Sequence, residues 1–498
     1  MVTGTGRLRA AVLCMALLAL SACSRPQTGA IRVGLASAPV SLDPRLATDA
    51  TSERLNRLLY RRLVDHDAAA RPVPALADWQ RLAPRHYRFH LRGQGRSFHD
   101  GTRLTAADVV ATYRSVLDPA TGSPHRGALA MIERVEAVDD DTVDFFLDRA
   151  DPLFPGYLGI GILPARVVAS GRDVGRRPVG SGPFRLEDWP DAGRLRLRRL
   201  RDGRRFVFER VADPTMRVLK LLHGEIDLVQ NDLPPELLRY LETQPGVKVA
   251  RRPGSNFAYL GFQLQDAATG KAAVRRAVAL AIDRRAIIAA LFGGGARPAA
   301  ALLPPEHWAG APALAPPERD LARARELLAG AGYGPQRPLQ LTYKTSADPF
   351  RVRIATVIQH QLGEAGIRVR VQSYDWGTFY GDIKRGRFQL FSLAWVGVRM
   401  PDIFRYAFHS ASVPPAGANR GRLRDARVDA LIEAAEQAQD LQEKARLYRR
   451  LQALLLELLP YVPLWYEDQF AAWRDDIEGY RLAADGNYDG LALTRRLR

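Results

Sequence analysis

Hydrophobic and polar positions alternate with the strand period at several places in the first third of the chain. Ile31-Arg32-Val33-Gly34-Leu35 is the first such segment, and its alternation is that of a half-buried strand. In Tyr87-Arg88-Phe89-His90-Leu91-Arg92 the two rings and Leu91 share one face, while Arg88, His90 and Arg92 share the other. Glu133 to Leu147 predicts a hairpin around Asp139-Asp140-Asp141. His99-Asp100-Gly101 predicts a turn. Thr105, with Asp108 three residues on, predicts a capped helix start. Gly180-Ser181-Gly182-Pro183 reads as a turn or hinge before the strand Phe184-Arg185-Leu186. It lacks the Lys-Ser/Thr that closes a phosphate-binding loop.

The second half mixes the two periods. Val274, Val278, Ile282, Ile288 and Leu291 predict one helix that stops at Gly293-Gly294-Gly295. Leu339 to Tyr343 alternates as a strand, residues 350–365 read as a helix ended by Gly366, and Ile367, Val369 and Val371 mark another strand. A helix over 376–386 then leads to the strand Phe388 to Trp395. This β-α-β-α-β order is that of a parallel sheet covered by helices. Residues of about 425–459 predict a long amphipathic helix or helix pair, closed by Pro460 and Pro463. There is no internal repeat, and the Pro/Ala-rich region 296–317 is the only loose stretch.

The amino terminus has a different pattern. Arg7 and Arg9 precede an apolar run of 11 residues, Ala10 to Leu20. A membrane-spanning helix needs ~20 such residues, so the run fits a secretory signal. Leu20-Ser21-Ala22-Cys23 resembles a bacterial lipobox. That resemblance implies a signal peptide over 1–22, a diacylglycerol on the Cys23 sulfur, and a lipidated tether over 23–30. The protein would be exported. It would be anchored on the periplasmic side of a membrane in a Gram-negative host, or at the cell surface in a Gram-positive one. The only other cysteine, Cys14, leaves with the signal. Disulfides, thiolate metal sites and cysteine nucleophiles are therefore excluded from the exported chain.

Composition adds little beyond a globular core: 47% hydrophobic and 25% charged residues. The formal net charge is +18, and removing Arg7 and Arg9 lowers it only by those two charges. The excess is spread along the chain. Its densest cluster, Arg194 to Arg205, alternates with Leu195, Leu197 and Leu200 and reads as an exposed strand and turn. Nucleic acid is not an expected partner. Neither Gly-x-Ser-x-Gly nor His-Glu-x-x-His occurs, so no catalytic residue is assigned and no enzyme is expected. The nine histidines are scattered; His86 and His90 are four apart on a strand, too far to share a metal. No metal site and no cofactor are expected.

These elements come with ordered blocks of a known family. They include Pro39-Val40-Ser41-Leu42-Asp43-Pro44, Leu58-Leu59-Tyr60 to Leu63-Val64-Asp65, and Pro72 to Ala77 with Trp79. The longest is YRFHLRGQGRSFHDGTRLTAADVVATYRSVLDP from Tyr87 to Pro119. Pro178 to Phe184, Gly224 to Asp227, Val274 to Arg284 and Ala324 to Tyr333 follow. The chain resembles the extracellular solute-binding proteins of the peptide/nickel class (family 5), which feed ABC importers. The resemblance covers nearly all of the chain after the signal. It implies an α/β, two-lobed, periplasmic-binding-protein-like fold with a hinge and an extra α+β domain inserted in lobe I. Lobe I would be 30–60, 175–259 and 470–498, the extra domain 61–174, and lobe II 260–469. It also implies a monomer that captures an oligopeptide-like or related solute between the lobes and delivers it to permease and ATPase subunits. A sensor or chaperone-like peptide-binding module is the alternative reading, and a lipid-anchored hydrolase a more distant one.

Peptide-binding members of the family hold the ligand backbone at a sheet edge near a Trp. The matching segment is Ala394-Trp395-Val396-Gly397. Those members place an Asp three residues after the Trp, where it pairs with the ligand α-ammonium. Here that position is Val398, followed by Arg399. An ammonium taken from water without a carboxylate loses solvation with nothing in return. Weak discrimination for a free ligand amino terminus is therefore expected, unless Asp402 or Asp49 takes over. Asp402 also reads as the cap of a helix beginning near Ile403. Arg399 is a candidate for an anionic ligand group. By position in the family, Thr48, Asp49 and Ala50, and Asn256 and Tyr259 near the hinge, are further lining candidates. Tyr374, Trp376 and Asn419 complete the set, although buried rings equally serve as core.

Overall fold

The computed structural model describes residues 29–93 and 96–497; the signal, Cys14 and Cys23 lie outside the described residues. Strand β1 (Ile31–Leu35) buries Ile31, Val33 and Leu35, as its alternation requires. The helix Ala50–Leu59 follows, started by Asp49, whose carboxylate accepts the Ser52 N–H at 2.9 Å. Leu55, Leu58 and Leu59 form its inner face. Strands β2 (Val64–His66) and β3 (Pro72–Pro74) then pair as a short ladder.

Next come β4 (Ala77–Ala83), β5 (His86–Leu91), β6 (Ile132–Ala137) and β7 (Thr142–Leu147), an antiparallel sheet in the order β4-β5-β7-β6. The helix Ala106–Leu117 packs on it and starts as its capping residues predict. The Asp108 carboxylate accepts the Thr105 N–H at 2.8 Å and the Ala165 N–H at 2.7 Å. Tyr87, Phe89, Val109, Tyr113, Phe145 and Phe154 belong to one hydrophobic cluster drawn from residues between Leu63 and Ile162. Local chain therefore builds its own core here.

While Ile477–Glu478 and Arg495–Arg496 pair separately, ten further strands join β1 in one sheet of 11 strands. They are β8 (Phe184–Asp191), β9 (Arg194–Arg199), β10 (Arg205–Arg210), β11 (Leu228–Gln230), β12 (Val247–Phe262), β13 (Ala296–Pro298), β14 (Leu339–Ser346), β15 (Ile367–Tyr374), β16 (Leu390–Trp395) and β17 (Tyr461–Arg474). The order is β15-β14-β16-β12-β17-β11-β1-β10-β9-β8, with β13 paired to β17. The predicted parallel unit is present: Leu339 lies opposite Ile367, and Tyr343 opposite Leu390. The long strands β12 and β17 pair antiparallel and carry the sheet from the β11 side to the β16 side. Their register breaks between Arg252 and Asn256. There a Cβ on Gly254 would stand 2.2 Å from the Glu467 carbonyl oxygen, so only glycine fits. On one side of the break Phe206, Phe208, Leu58 and Leu491 share a cluster; on the other, Leu260, Val278, Leu341 and Ile358 do.

Three details differ from the sequence expectation. The helix expected over Val274 to Leu291 is two, Ala272–Ala281 and Arg284–Phe292. Ile282 is extended, and Asp283 caps the second helix by accepting the Ala286 N–H at 2.9 Å. Apolar spacing continues through the break, so periodicity does not register it. The Pro/Ala-rich region is packed: Ala299, Leu302, Leu303 and Ala309 are buried, and Tyr466 Oη donates to the carbonyls of Ala301 and Leu303 at 2.5 and 3.0 Å. Arg194 to Arg205 does form strand and turn, but the inward positions are Leu195, Leu197 and then Arg199, only 1% exposed, while Leu200 is 49% exposed. Asp202 accepts Arg199 Nε and Nη2 at 3.0 and 2.6 Å, and the carbonyls of Leu491 and Thr494 accept Nη1 at 3.0 and 2.6 Å.

Candidate functional site

A cavity of about 460 Å³ opens between the helix Ala50–Leu59 and the loop that follows β16. The helix presents Glu53, Asn56 and Arg57, which recur at three- and four-residue spacing and so share one face; Tyr60 follows at its end. Arg62 precedes β2 and His66 ends it, and Gly156, Tyr157 and Ile160 extend this wall. The opposite wall is Trp395, Val396, Gly397, Val398, Arg399 and Met400, continued by Asp402, Ile403 and Tyr406. Gly397 has φ 69°, which turns the chain off the end of the strand. Behind Trp395 stands a stack of rings: Tyr259 lies 6.5 Å from it and 3.9 Å from Tyr461, centroid to centroid. The Arg420 guanidinium lies 4.8 Å from the Trp395 ring and donates to Tyr259 Oη at 2.9 Å. These contacts fix the indole in the wall.

All three arginines of the cavity already have carboxylate partners. Arg57 Nη2 reaches Asp65 at 3.1 Å and Asp489 at 2.5 Å, Arg62 Nη2 reaches Asp65 at 3.5 Å, and Arg399 Nη2 reaches Asp485 at 2.5 Å. Burial draws the Arg62 guanidinium down to about 10. The two cavity acids are different. Burial pushes Glu53 up to about 6, against the pull of Arg399. Burial pushes Asp402 up to about 7; the Ile403 N–H opposes this, while Asp151 and Glu436 add to it. Both carboxyls have surface open to the cavity, with protein on their other sides; this access and this desolvation coexist. His66 is held down to about 4, first by burial and then by Arg399, so it is neutral at neutral pH. Asn56 is 6% exposed, and among the described residues neither its amide nitrogen nor its oxygen has a hydrogen-bond partner.

Of the residues singled out from sequence, Trp395, Val396, Gly397, Arg399 and Asp402 are brought together in this cavity, with Val398 among them. Arg399 faces Asp485. Asp402 stands at the N-cap position of the helix Ile403–Phe408, as expected, but its backbone is already helical and its side chain makes no capping hydrogen bond. The others do not line the cavity. Asp49 caps the helix one turn from Glu53, with Thr48 and Ala50 exposed beside it. Ala394 sits within β16 opposite Ala258, and Asn256 within β12 opposite Glu467. Tyr259 is buried behind Trp395. Asn419 is buried, its amide donating to the carbonyls of His409 and Leu423 at 3.1 and 2.8 Å. Tyr374 ends β15 under Lys344, and Trp376 is exposed and stacked on Tyr380 at 5.3 Å. Glu53, Asn56, Arg57, Arg62 and His66 escaped the sequence reading. The usable signal was the polar stripe Glu53, Asn56, Arg57 on an otherwise leucine-rich helix. Among the described residues no group of three His, Cys, Asp or Glu is placed to hold a metal ion.

Comparison with known proteins gives this geometry a context. A model of the bacterial extracellular solute-binding proteins, family 5 (middle), matches residues 70–413. The dipeptide-binding protein of Pseudomonas aeruginosa is 26% identical over 487 residues, spanning 89% of this chain and 91% of its own. The substrate-binding protein CtaP of Listeria monocytogenes has the same fold, with a TM-score of 0.86 at 23% identity over 94% of this chain and 99% of its own. The periplasmic binding protein DppA of Helicobacter pylori, solved with the peptide STSA, has a TM-score of 0.78 at 25% identity over 94% of this chain and 98% of its own. The fold is thus a two-lobed α/β binding-protein fold.

Proposed function

The chain belongs to the bacterial extracellular solute-binding proteins of family 5, and from that premise we propose that it is the substrate-binding subunit of an ABC importer. It captures an oligopeptide-like or related solute between its lobes and delivers it to the membrane permease and its ATPase. The observation that carries this reading is the cavity between the helix Ala50–Leu59 and the Trp395 loop, with the unpartnered Asn56 amide in its wall. A buried amide offers one acceptor and two donors and costs about 1–3 kcal/mol when left unmatched. A peptide group supplies the matching pair. The relatives agree in kind: one is a dipeptide-binding protein, and one is solved with a bound peptide.

The work is binding and handover, without catalysis. The hinge is the Pro253-Gly254-Ser255 break opposite Asp468, where the β12–β17 pairing is interrupted. Lobe I is 30–60, 175–259 and 470–498, lobe II is 260–469, and 61–174 is the inserted domain. A lipid on Cys23 tethers the exported monomer beside the permease. Mass spectrometry of small molecules released when the purified protein is unfolded tests the reading. Recovery of peptides or related small solutes is expected. An empty cavity, together with no rise in melting temperature on adding a di- and tripeptide library, would overturn it.

A further inference from the structure

The chain enters the fold at Gly29 and Ala30, and two arginines meet it there. Arg204 Nη1 reaches the Gly29 carbonyl and Arg496 Nη2 the Ala30 carbonyl, each at 3.5 Å. Ile31, the first residue of β1, lies opposite Phe206 in β10. The entry point therefore stands beside the turn Leu200 to Arg204 that joins β9 to β10, where Gly203 has φ 69°. The register carries positive charge from this turn across the edge of the sheet: Arg205 lies opposite Arg198, and Arg198 opposite Arg185. The adjacent acids do not balance it. Asp202, in the turn, is taken by the buried Arg199, and Glu187 is shared between Arg198 and Arg205. Among the described residues Arg185, Arg201 and Arg204 make no ion pair. Exposed leucines border these arginines. Leu200 lies in the turn itself. Leu493 follows Ala492, whose carbonyl accepts Arg199 Nη1 at 3.2 Å, and Leu497 follows Arg496.

Cys23 stands six residues before Gly29, and six residues span at most about 20 Å. A lipid on Cys23 therefore holds this edge of the sheet within that distance of the membrane surface. The field of an anionic membrane fades within a screening length of about 8 Å, so the charges beside the tether are the ones that feel it. We propose that the edge formed by Arg185, Arg198, Arg201, Arg204 and Arg205 docks on anionic lipid headgroups, so that the anchored protein rests against its membrane in one orientation. The guanidinium groups meet the headgroup phosphates, and Leu200, Leu493 and Leu497 meet the headgroup layer. The proposal rests on the lipid anchor proposed above and adds a second, electrostatic contact to it. Each arginine at an anionic surface raises affinity about fivefold. The tether makes the contact effectively intramolecular, so a few arginines suffice.

The test is arginine footprinting. The full expressed chain, purified in detergent, is reconstituted with vesicles and treated with a dicarbonyl reagent, and each modified arginine is read by mass spectrometry. Vesicles of phosphatidylcholine alone are compared with vesicles of equal parts phosphatidylcholine and phosphatidylglycerol. Modification of Arg185, Arg201 and Arg204 is expected to slow at least about fivefold on the phosphatidylglycerol vesicles. The slowing should vanish in about 1 M salt, where the screening length is about 3 Å. Arg368 and Arg370, exposed on β15 at the opposite edge of the sheet, should not change. Arg201→Glu/Arg204→Glu should abolish the protection of Arg185. Arg368→Glu/Arg370→Glu, with the same change in net charge, should keep the protection of all three. A circular-dichroism melt of each variant confirms folding. Equal slowing of Arg368 and Arg370, or slowing by inorganic phosphate without vesicles, means general attraction of a basic chain and overturns the proposal. Unchanged modification, while the same spectra show the diacylglycerol on Cys23, overturns it and leaves the anchor standing. Protection of the three arginines with Cys23 unmodified upholds the docking edge and removes the anchor.

Discussion

Arg399 Nη2 donates to Asp485 Oδ2 at 2.5 Å, joining the loop after β16 to the carboxy-terminal segment that packs with β1. The two residues come from opposite sides of the β12–β17 register break, so their ion pair links the two halves of the sheet. Asp485 is held in place by accepting the Asn487 N–H at 3.1 Å. Both side chains are about two-thirds covered, and such a pair contributes about 1 kcal/mol. Asp485→Asn should therefore shift the equilibrium between closed and open lobes about five-fold toward open. Small-angle scattering of the ligand-free protein should show a larger radius of gyration in the variant. An unchanged radius would mean that the pair does not hold the lobes together.

Gly180 and Gly182 set the position of the helix that carries Glu53, Asn56 and Arg57. A Cβ on Gly180 would stand 1.9 Å from the Leu59 carbonyl oxygen, and one on Gly182 would stand 2.3 Å from that of Leu58. Gly182 N–H donates to Leu59 O at 2.8 Å, so the contact also closes the helix end. Either glycine replaced by alanine pushes backbone against backbone, which cannot yield by a rotamer change. A loss of at least about 3 kcal/mol is expected, read as a lowered urea midpoint. Variants within about 0.5 kcal/mol of the parent would show that the loop relaxes freely.

The parallel unit β14-β15-β16 and the strand–hairpin pattern of β5 to β7 were legible because one face of each strand is buried and period-2 alternation reports that directly. The Trp395 loop was reached through the family blocks, and five of its candidate residues meet in the cavity. The helix side of the cavity was not legible. Glu53 and Arg57 look like solvated surface in sequence, and only the loop packed opposite makes that surface a wall. Asn419 and Tyr259 mislead in the reverse way. Their polar groups are consumed by His409, Leu423 and Arg420, partners distant in sequence or visible only in three dimensions. The break at Asp283 was hidden because the apolar spacing on both sides of it stays in phase.

Arg199 clamps the end of the chain. It is buried within β9 and holds the carbonyls of Leu491 and Thr494 as well as Asp202. Asp202 is held down to about 2, chiefly by its hydrogen bonds to Arg199. Arg199→Leu places an apolar side chain in the strand and strands those acceptors. Loss of about 3 kcal/mol is expected, with faster hydrogen exchange confined first to residues around 489–496. Uniform exchange across the chain would argue against a local clamp.

Cleavage of the proposed signal peptide before Cys23 would leave Cys23 as the one thiol of the chain. Cys23→Ser should abolish partition of the expressed protein into the detergent phase and leave an uncleaved or soluble form. A single thioether-linked diacylglycerol contributes two chains, enough for stable anchoring at ~0.8 kcal/mol per buried methylene. Normal partition of the serine variant would refute lipid attachment at this residue.

The Asp402 carboxyl leaves a mark on stability without any ligand. Its value is raised from 3.8 to about 7, first by burial and then by Asp151 and Glu436. Between these two values the folded protein keeps a proton that the unfolded chain has released. The folded state binds more protons there, so stability falls as pH rises across this window. The contribution is fully present below about 3.8, is lost through about 7, and is constant above. His66 works in the other direction: its folded value of about 4 lies below its ordinary 6.5, so its contribution is present above 6.5 and is lost as pH falls toward 4. Glu53, raised from 4.5 to about 6, slopes the same way as Asp402, so the parent's own pH curve mixes several such contributions. Asp402→Asn removes one of them. Relative to the parent, the variant should gain stability steadily from pH 4 to pH 7 and hold a constant difference from pH 7.5 upward. Urea midpoints of both proteins at half-unit intervals measure this difference directly. Parallel curves across the window would show that Asp402 titrates as an ordinary solvated carboxylate.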